Sequence, residues 1–280
     1  MSRATSIQPR KPRFDFSAVP RDWLGGSRVA TQVANAVNLL FPAGERFFVR
    51  SVKRYLDAAV AADPALAPLA KGFFGQEGRH AATHDAFNAR LRAQGLRVDG
   101  FLSFYERLCY GFLERVCSHE LALATTAAME HYTAIMAENA LRNGLLAPAH
   151  PTMRAFLHWH AAEEIEHRAV AFDVLAATDD RYALRAAGMA MATALLGLLW
   201  AVGAATLIAQ DLPPARELPR ELRRAAAVLG ERRSIVRRVF LRGLREYLRP
   251  GFHPDEKPLD DLAAAALAEL GLATAEEAAA

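Results

Sequence analysis

Apolar residues recur every three to four positions along most of the chain, and Gly, Pro and Asn interrupt the pattern at a few points. This spacing predicts α-helices that bury one face. Four long helices are expected first: one from about Ser27 that Pro42 interrupts, then helices over 64–94, 113–142 and 151–178. Ala, Leu, Arg and Glu dominate while β-branched runs are scarce, so the predicted fold class is all-α.

The helical pattern divides the chain into four parts. Residues 1–27 are polar, basic and Pro-containing, which predicts an N-terminal arm. Residues 28–180 carry the four long helices, and a short aromatic-rich segment within them connects two helical hairpins. Residues 181–250 are expected to form a hydrophobic helix followed by an Arg-rich helix. Residues 251–280 predict a weakly ordered tail, in which the Ala/Glu-rich residues 260–280 form a short weak helix that frays into a disordered end.

The hydrophobic helix and the Arg-rich helix each leave alternatives open. Residues 186–209 contain no charged residue and are long enough to span a bilayer. Three interpretations follow: a fifth helix packed on the bundle, a homodimer interface, or a membrane anchor. Residues 216–249 hold eleven Arg against four Glu. They predict either a helix on an anionic membrane surface or, by slight preference, a helix that flanks the bundle and solvates its Arg side chains.

The charge and the cysteine content indicate which partners and which cellular location to expect. The net charge is +3, and most Arg residues alternate with acidic ones, so we expect no nucleic-acid partner. Cys109 and Cys117 are expected on one helix, about 12 Å apart by helical rise and too far for a disulfide. Residues 1–20 lack the apolar stretch of a signal peptide. The predicted location is the cytoplasm, at the inner membrane if 186–209 inserts.

Two Glu-x-x-His motifs carry the candidate chemistry. The first is Glu77-x-x-His80, and the second is Glu164-x-x-His167 with His160 four residues before it. On a helix these spacings place the side chains of each motif on one face. Two imidazoles and a carboxylate can therefore converge on one point.

Two further glutamates complete a symmetrical pattern. Glu45 lies among aromatic residues, where an unpaired carboxylate is costly to bury, and Glu130 lies among small ones. Each precedes a Glu-x-x-His motif by one helical hairpin, and Glu plus Glu-x-x-His from two hairpins is the ligand set of a dinuclear site in a four-helix bundle. The predicted metal ligands are Glu45, Glu77, His80, Glu130, His160, Glu164 and His167.

Residues near these ligands receive weaker assignments. His84 and His131 are candidates for an extra ligand or for a hydrogen-bond partner of a ligand. Glu163 and Glu166 are expected to point elsewhere, to solvent or to Arg79 or Arg168. The predicted substrate space is lined by Thr125, Thr126 and Met129.

The motifs resemble a bacterial family catalogued as predicted metal-dependent hydrolases, over about residues 28–210. The resemblance rests on Phe41-Pro42-x-Gly44-Glu45, Gln76-Glu77-x-x-His80-x-x-x-His84, Ala128-Met129-Glu130-His131 and Trp159-His160-x-x-Glu163-Glu164-x-Glu166-His167. More broadly, the pattern is similar to ferritin-like di-iron carboxylate oxygenases. The extra His160 is similar to the three-His arrangement of p-aminobenzoate N-oxygenase.

This resemblance implies a ferritin-like four-helix bundle with additional C-terminal helices, and two bound iron ions, with manganese as the alternative metal. The leading prediction is an oxidoreductase that uses O2 and an external electron donor to oxidise a small organic substrate. The alternative is a hydrolase that uses a metal-activated water at the same site. A non-enzymatic metal store or helical scaffold is the third class. The sequence does not identify the substrate.

Overall fold

The protein folds almost entirely into helices. The computed structural model describes residues 7–230 and 236–273, and these ranges contain no β-strand, only an isolated bridge between Leu24 and Ala149. The all-α prediction is therefore confirmed.

The helices follow one another with short connections. In chain order they are α1 (Arg28–Ala62), α2 (Leu66–Ala93), α3 (Asp99–Glu106), a π-helical segment (Arg107–Leu113), α4 (Glu114–Val116), α5 (His119–Arg142), α6 (Pro151–His167), α7 (Val170–Thr178), α8 (Tyr182–Gln210), α9 (Leu218–Leu229), a second π-helical segment (Val236–Leu241), α10 (Arg242–Tyr247), a 3₁₀ turn (Pro254–Glu256) and α11 (Asp260–Glu269).

The first and third of the predicted long helices differ from the prediction at one point each. α1 begins after Ser27, whose hydroxyl accepts a hydrogen bond from the amide of Ala30, as expected of an N-cap. It then continues through Pro42 as one helix, although an interruption was predicted. The third predicted helix starts later than expected, at His119, because Cys117 is extended and Ser118 caps α5. The two cysteines therefore lie on different elements, and both are free thiols.

The predicted helix over 151–178 is divided in two. α6 ends at His167 and α7 begins at Val170. The Arg168 guanidinium donates to the carbonyl of Ile165 at 2.5 Å, the acceptor that residue 169 would use in a continuous helix. The predicted helix over 216–249 is also interrupted, since α9 ends at Leu229 and Gly230 follows it with φ 70°. Residues 231–235 lie outside the described part of the chain.

The four helices that carry the predicted ligands contact one another in a ring. α1 packs on α2 and α5 packs on α6, which forms two hairpins, and α1·α5 and α2·α6 contacts join the hairpins. Fully buried side chains from each helix fill the ring, among them Leu39, Phe73, Tyr132 and Phe156. The four helices thus enclose the centre of the ring.

The hydrophobic helix α8 packs on this ring along α1 and α5. Gly188 permits the closest approach, because a Cβ atom there would lie 2.5 Å from the backbone carbonyl of Ala124. By length and composition α8 is the one helix in the described ranges that could cross a membrane, and 28% of its most apolar window is buried. Leu198 and Val202 are exposed on its outward face. A membrane anchor and a homodimer interface stay predictions.

Both ends of the described chain pack against the ring. In the N-terminal arm Phe16, Val19 and Trp23 are buried in the core. At the other end α11 packs on α6 with Leu267 fully buried, although a weakly ordered tail was predicted for this region. Ala263 and Leu267 are four residues apart and share one buried face, which explains this packing. Residues 1–6 and 274–280 lie outside the described residues.

Candidate metal centre

The seven predicted ligands all lie inside the helical ring. α1 supplies one, α2 two, α5 one and α6 three, as the motif spacing predicts. None of the seven is more than 3% exposed, and the full set is Glu45, Glu77, His80, Glu130, His160, Glu164 and His167. Buried ionisable groups in such number require charge compensation.

One group of four side chains converges near α1. Glu45, His80, His160 and Glu164 each offer a ligand atom, and these atoms all lie within 4.8 Å of one another. His160 Nε2 is 2.7 Å from Glu164 Oε1 and 3.6 Å from Glu45 Oε1. His80 Nδ1 is 3.6 Å from the same Glu164 oxygen.

A second group converges beside the first. Glu77, Glu164 and His167 offer ligand atoms that also lie within 4.8 Å of one another. His167 Nε2 is 3.7 Å from Glu77 Oε1 and 3.8 Å from Glu164 Oε1. Because Glu164 belongs to both groups, its carboxylate can bridge two metal positions.

Glu130 contacts the Nδ1 edge of the His167 ring. Its Oε2 is 2.9 Å from His167 Nδ1, the position of an acceptor for an Nδ1 proton. That hydrogen bond leaves His167 Nε2 directed toward Glu77 and Glu164. Glu130 therefore orients a ligand in this geometry, and its own role as a ligand stays a prediction.

Potential metal-ligand atoms that have no hydrogen-bond partner show that the pocket fits metal ions. Among the described residues, the following buried atoms have no hydrogen-bond partner: both carboxylate oxygens of Glu45 and of Glu77, His80 Nδ1, Glu130 Oε1, Glu164 Oε2 and His167 Nε2. Each such atom costs about 1–3 kcal/mol if it stays unsatisfied. Carboxylate oxygens with imidazole nitrogens suit iron, manganese or zinc.

The electrostatics of the cluster also favour a bound cation. Burial, then Glu164 and Glu130, raises the pKa of Glu45 well above its usual value. Burial and the neighbouring carboxylates do the same to the pKa of Glu77. Burial alone would lower the pKa of His167, but Glu130 and Glu164 raise it to about 9. Divalent cations would relieve this carboxylate repulsion.

Glu163 fixes the orientation of His80. This residue is fully buried, and its Oε2 lies 2.9 Å from His80 Nε2. A proton on His80 Nε2 then leaves Nδ1 as the lone pair that faces the cluster. The other Glu163 oxygen accepts from the backbone amide of Arg10 at 3.1 Å and from the Arg10 guanidinium at 3.4 Å.

The predicted surroundings of Glu163 and Glu166 are therefore wrong. Neither pairs with Arg79 or Arg168. Glu166 accepts two hydrogen bonds from the Arg10 guanidinium at 2.7 and 2.9 Å, and a third from the Gln76 amide at 2.6 Å. The N-terminal arm thus supplies the cation that both glutamates need, across a sequence separation that no local pattern reveals.

His84 orients His160 through a chain of hydrogen bonds. The Asn38 amide donates to Asn88 Oδ1 at 2.7 Å, so Asn38 Oδ1 is the acceptor for His84 Nδ1 at 2.5 Å. His84 Nε2 then accepts from His160 Nδ1 at 2.7 Å, which frees His160 Nε2 for the cluster. Of the roles considered for His84, the geometry favours that of a hydrogen-bond partner to a ligand.

The comparisons with known proteins agree with this geometry. A family model described as "Predicted metal-dependent hydrolase" matches residues 8–257. The chain belongs to this family. No curated protein and no solved structure matches the chain. The family match confirms the resemblance drawn from the motifs and, with the buried His/Glu cluster, supports a metal-dependent enzyme.

The remaining predicted site residues lie outside the two ligand groups. His131 packs against Tyr247 and Phe252, with ring centroids 5.4 and 4.9 Å apart, and belongs to neither ligand group, so its role at the metal site stays a prediction. The Thr125 hydroxyl donates to the Leu121 carbonyl, and Thr126 hydrogen-bonds Ser51, so both hydroxyls have partners within the protein. Met129, in contrast, lines an apolar cavity that also touches Glu45.

Proposed function

We propose that the protein is a metal-dependent hydrolase with a dinuclear centre. Glu45, His80 and His160 would hold one metal ion, and Glu77 and His167 the other, with Glu164 shared between them. The position of Glu164 within both ligand groups is the observation that carries the proposal. The description of the family supports hydrolysis as the reaction.

Metal ions bound there would polarise a substrate oxygen and lower the pKa of a bound water. Residues of the chain orient the imidazole rings that would bind the metal ions. Glu163 holds a proton on His80 Nε2 and His84 accepts one from His160 Nδ1, so each ring turns its remaining nitrogen to the cluster. Glu45, with both oxygens unpartnered among the described residues, borders the cavity through which a substrate would approach.

Ester cleavage under anaerobic conditions tests the proposal. Protein loaded with Mn(II), Fe(II) or Zn(II) is assayed with p-nitrophenyl butyrate in the absence of O2. We expect turnover that chelation with EDTA removes and that metal restores. Turnover that is independent of metal, or none with any of the three metals and acyl or phosphoryl esters, would refute hydrolysis.

The donor set favours a second candidate, an O2-dependent oxidoreductase. Carboxylates and imidazoles without thiolate, on four contacting helices, match the ligand pattern of di-iron carboxylate proteins. This activity needs two Fe ions, with Mn as the alternative, O2 and an external electron donor. Protein that is loaded with Fe(II) under anaerobic conditions and then exposed to O2 should consume O2 in proportion to the di-iron centres present. Metal-dependent ester turnover without O2 consumption would exclude this candidate.

A further inference from the structure

Two apolar cavities adjoin the metal cluster. The outer cavity, of about 200 Å³, touches His160 and Glu164. The inner cavity, of about 60 Å³, touches Glu45. They have four lining residues in common: Val37, Phe41, Thr133 and Met136. Both cavities therefore lead to the cluster from the same side, around the Phe41 ring.

Phe41 stands directly over the imidazoles. Its ring stacks on His84 at 4.4 Å between centroids and meets the edge of His160 at 4.5 Å. An apolar ring thus lies where a substrate would reach the centre. The approach to the metal ions is lined by hydrocarbon rather than by polar groups.

The polar side chains that line the outer cavity already form hydrogen bonds within the protein. Asn38 and His84 belong to the hydrogen-bond chain that ends at His160. Asn139 donates to the Ile135 carbonyl and accepts from Asn143. Among the described lining residues, Glu164 is the one charged group in the outer cavity.

The inner cavity has the same character. Thr133 donates its hydroxyl to the Glu130 carbonyl, and Glu45 is the one charged group among the described residues that line this cavity. A carboxylate, phosphate or ammonium group on the substrate would therefore find no countercharge away from the metal ions. Burying such a group without a partner is strongly unfavourable.

The outer cavity reaches the surface at an apolar rim. Leu145 lies at this rim and is 41% exposed, while Trp200 and Leu229 are half-buried beside it. Among the described residues that line the cavity, none at this rim carries a charge. An apolar chain could thus extend from the surface to the cluster in contact with hydrocarbon along its length.

We propose that the substrate is an uncharged molecule with an extended alkyl or acyl chain, which the two cavities bind with its single reactive polar group at the Glu45–Glu164 end. The reaction at that group rests on the proposed function. The binding of the chain does not, because it depends only on the cavities.

Tryptophan fluorescence gives a binding assay that is independent of turnover. Trp23 and Trp200 line the outer cavity, so a bromine atom placed there should quench their emission. With the metal-loaded protein, 12-bromododecan-1-ol should quench saturably, and plain 1-alkanols should compete about fourfold more tightly for each added CH₂. The charged analogue (12-bromododecyl)trimethylammonium, whose head group can neither ligate a metal ion nor find a countercharge in the apolar cavities, should bind at least tenfold more weakly. Equal binding of the two bromo compounds, or no saturable quenching, would overturn the proposal.

Filling the cavity tests the location. Val37→Phe places a ring where both cavities meet and should weaken bromododecanol binding at least tenfold. Val202→Phe makes the same change on the exposed face of α8 and should leave binding as in the wild type. Circular dichroism and metal content establish that both variants are folded. Wild-type affinity in a folded Val37→Phe variant would refute the cavity as the site, and the neutral-to-charged comparison tests the proposal if that variant does not fold.

The assay also separates this proposal from the proposed function. Saturable quenching without turnover of p-nitrophenyl octanoate or of any other acyl or phosphoryl ester, with each of the three metals, would leave the apolar substrate class supported and hydrolysis refuted. Turnover of p-nitrophenyl acetate with no quenching, and no gain from longer acyl chains, would support hydrolysis and refute the substrate class.

Discussion

Glu163→Gln should weaken metal binding although Glu163 is placed to hold no metal itself. The wild-type carboxylate accepts from His80 Nε2 with one oxygen and from Arg10 with the other. The amide that replaces it has one oxygen, and the two Arg10 donors favour turning that oxygen toward Arg10. The NH₂ group then faces His80 Nε2, so the imidazole must move its proton to Nδ1. That nitrogen is the one directed at the cluster.

Loss of a hydrogen bond that orients a metal-ligating histidine typically costs ten- to a hundredfold in metal affinity. This range corresponds to about 1.4–2.7 kcal/mol. The estimate for Glu163→Gln falls in this range because the side chain is fully buried and its hydrogen bond to His80 is short, at 2.9 Å.

Competitive titration of the apoprotein with Zn(II) against a chromophoric chelator measures the change. Glu166→Gln is the matched control, since Glu166 binds the same Arg10 guanidinium but contacts Gln76 rather than an imidazole. It should lower the free energy of unfolding while metal affinity stays within threefold of the wild type. If Glu163→Gln keeps wild-type affinity, or if Glu166→Gln loses as much, the orientation of His80 is not what Glu163 provides.

Three further results are expected. Metal-free protein should lose stability to urea as pH rises above about 4.5, because burial and neighbouring carboxylates raise the folded-state pKa of carboxyls such as Glu45 above the unfolded value; added Mn(II) should suppress this loss, and a metal-free stability that rises with pH would contradict it. Burial raises the pKa of the Cys109 thiol to about 12, so iodoacetamide should modify the half-buried Cys117 first, as peptide mass spectrometry would show. Gly188→Ala should destabilise the fold by about 1–3 kcal/mol through its clash with α5, whereas Gly197→Ala, which meets only ring atoms at 3.9 Å or more, should not; calorimetry compares the two.

The parts of the site that were predictable from sequence are those with local spacing. Glu77-x-x-His80 and His160-x-x-x-Glu164-x-x-His167 place their side chains on one helical face whatever the rest of the chain does. Glu45 and Glu130 followed from the similar lengths of the two hairpins, because each lies one hairpin before a Glu-x-x-His motif. These predicted spacings agree with the structure because they depend on the geometry of helices and helical hairpins.

Contacts between distant segments were not predictable from one sequence. Glu163 meets Arg10 across 153 positions and His80 across 83, and neither separation has a periodic signature. The predicted boundaries of some helices were wrong because they also depend on contacts between distant segments. The break after His167 depends on the Arg168 side chain, which also bonds Asp260. That partner lies on α11, a helix predicted to be weakly ordered.

The choice of reaction is also not set by the ligand motifs, because a hydrolase and an O2-dependent oxidoreductase can use the same donors. The motifs alone led us to expect oxidation first. The family to which the chain belongs is described by hydrolysis, and this description supports the alternative instead. The apolar cavities constrain the substrate in either case, since they border the cluster itself.

Metal stoichiometry of three variants tests the shared-carboxylate centre most directly. Glu164 belongs to both ligand groups, whereas Glu77 belongs to one. Inductively coupled plasma mass spectrometry should find two metal ions per wild-type chain, about one in Glu77→Ala, and none retained after dialysis in Glu164→Ala. Two ions per chain in folded Glu164→Ala would contradict the dinuclear centre described for this protein.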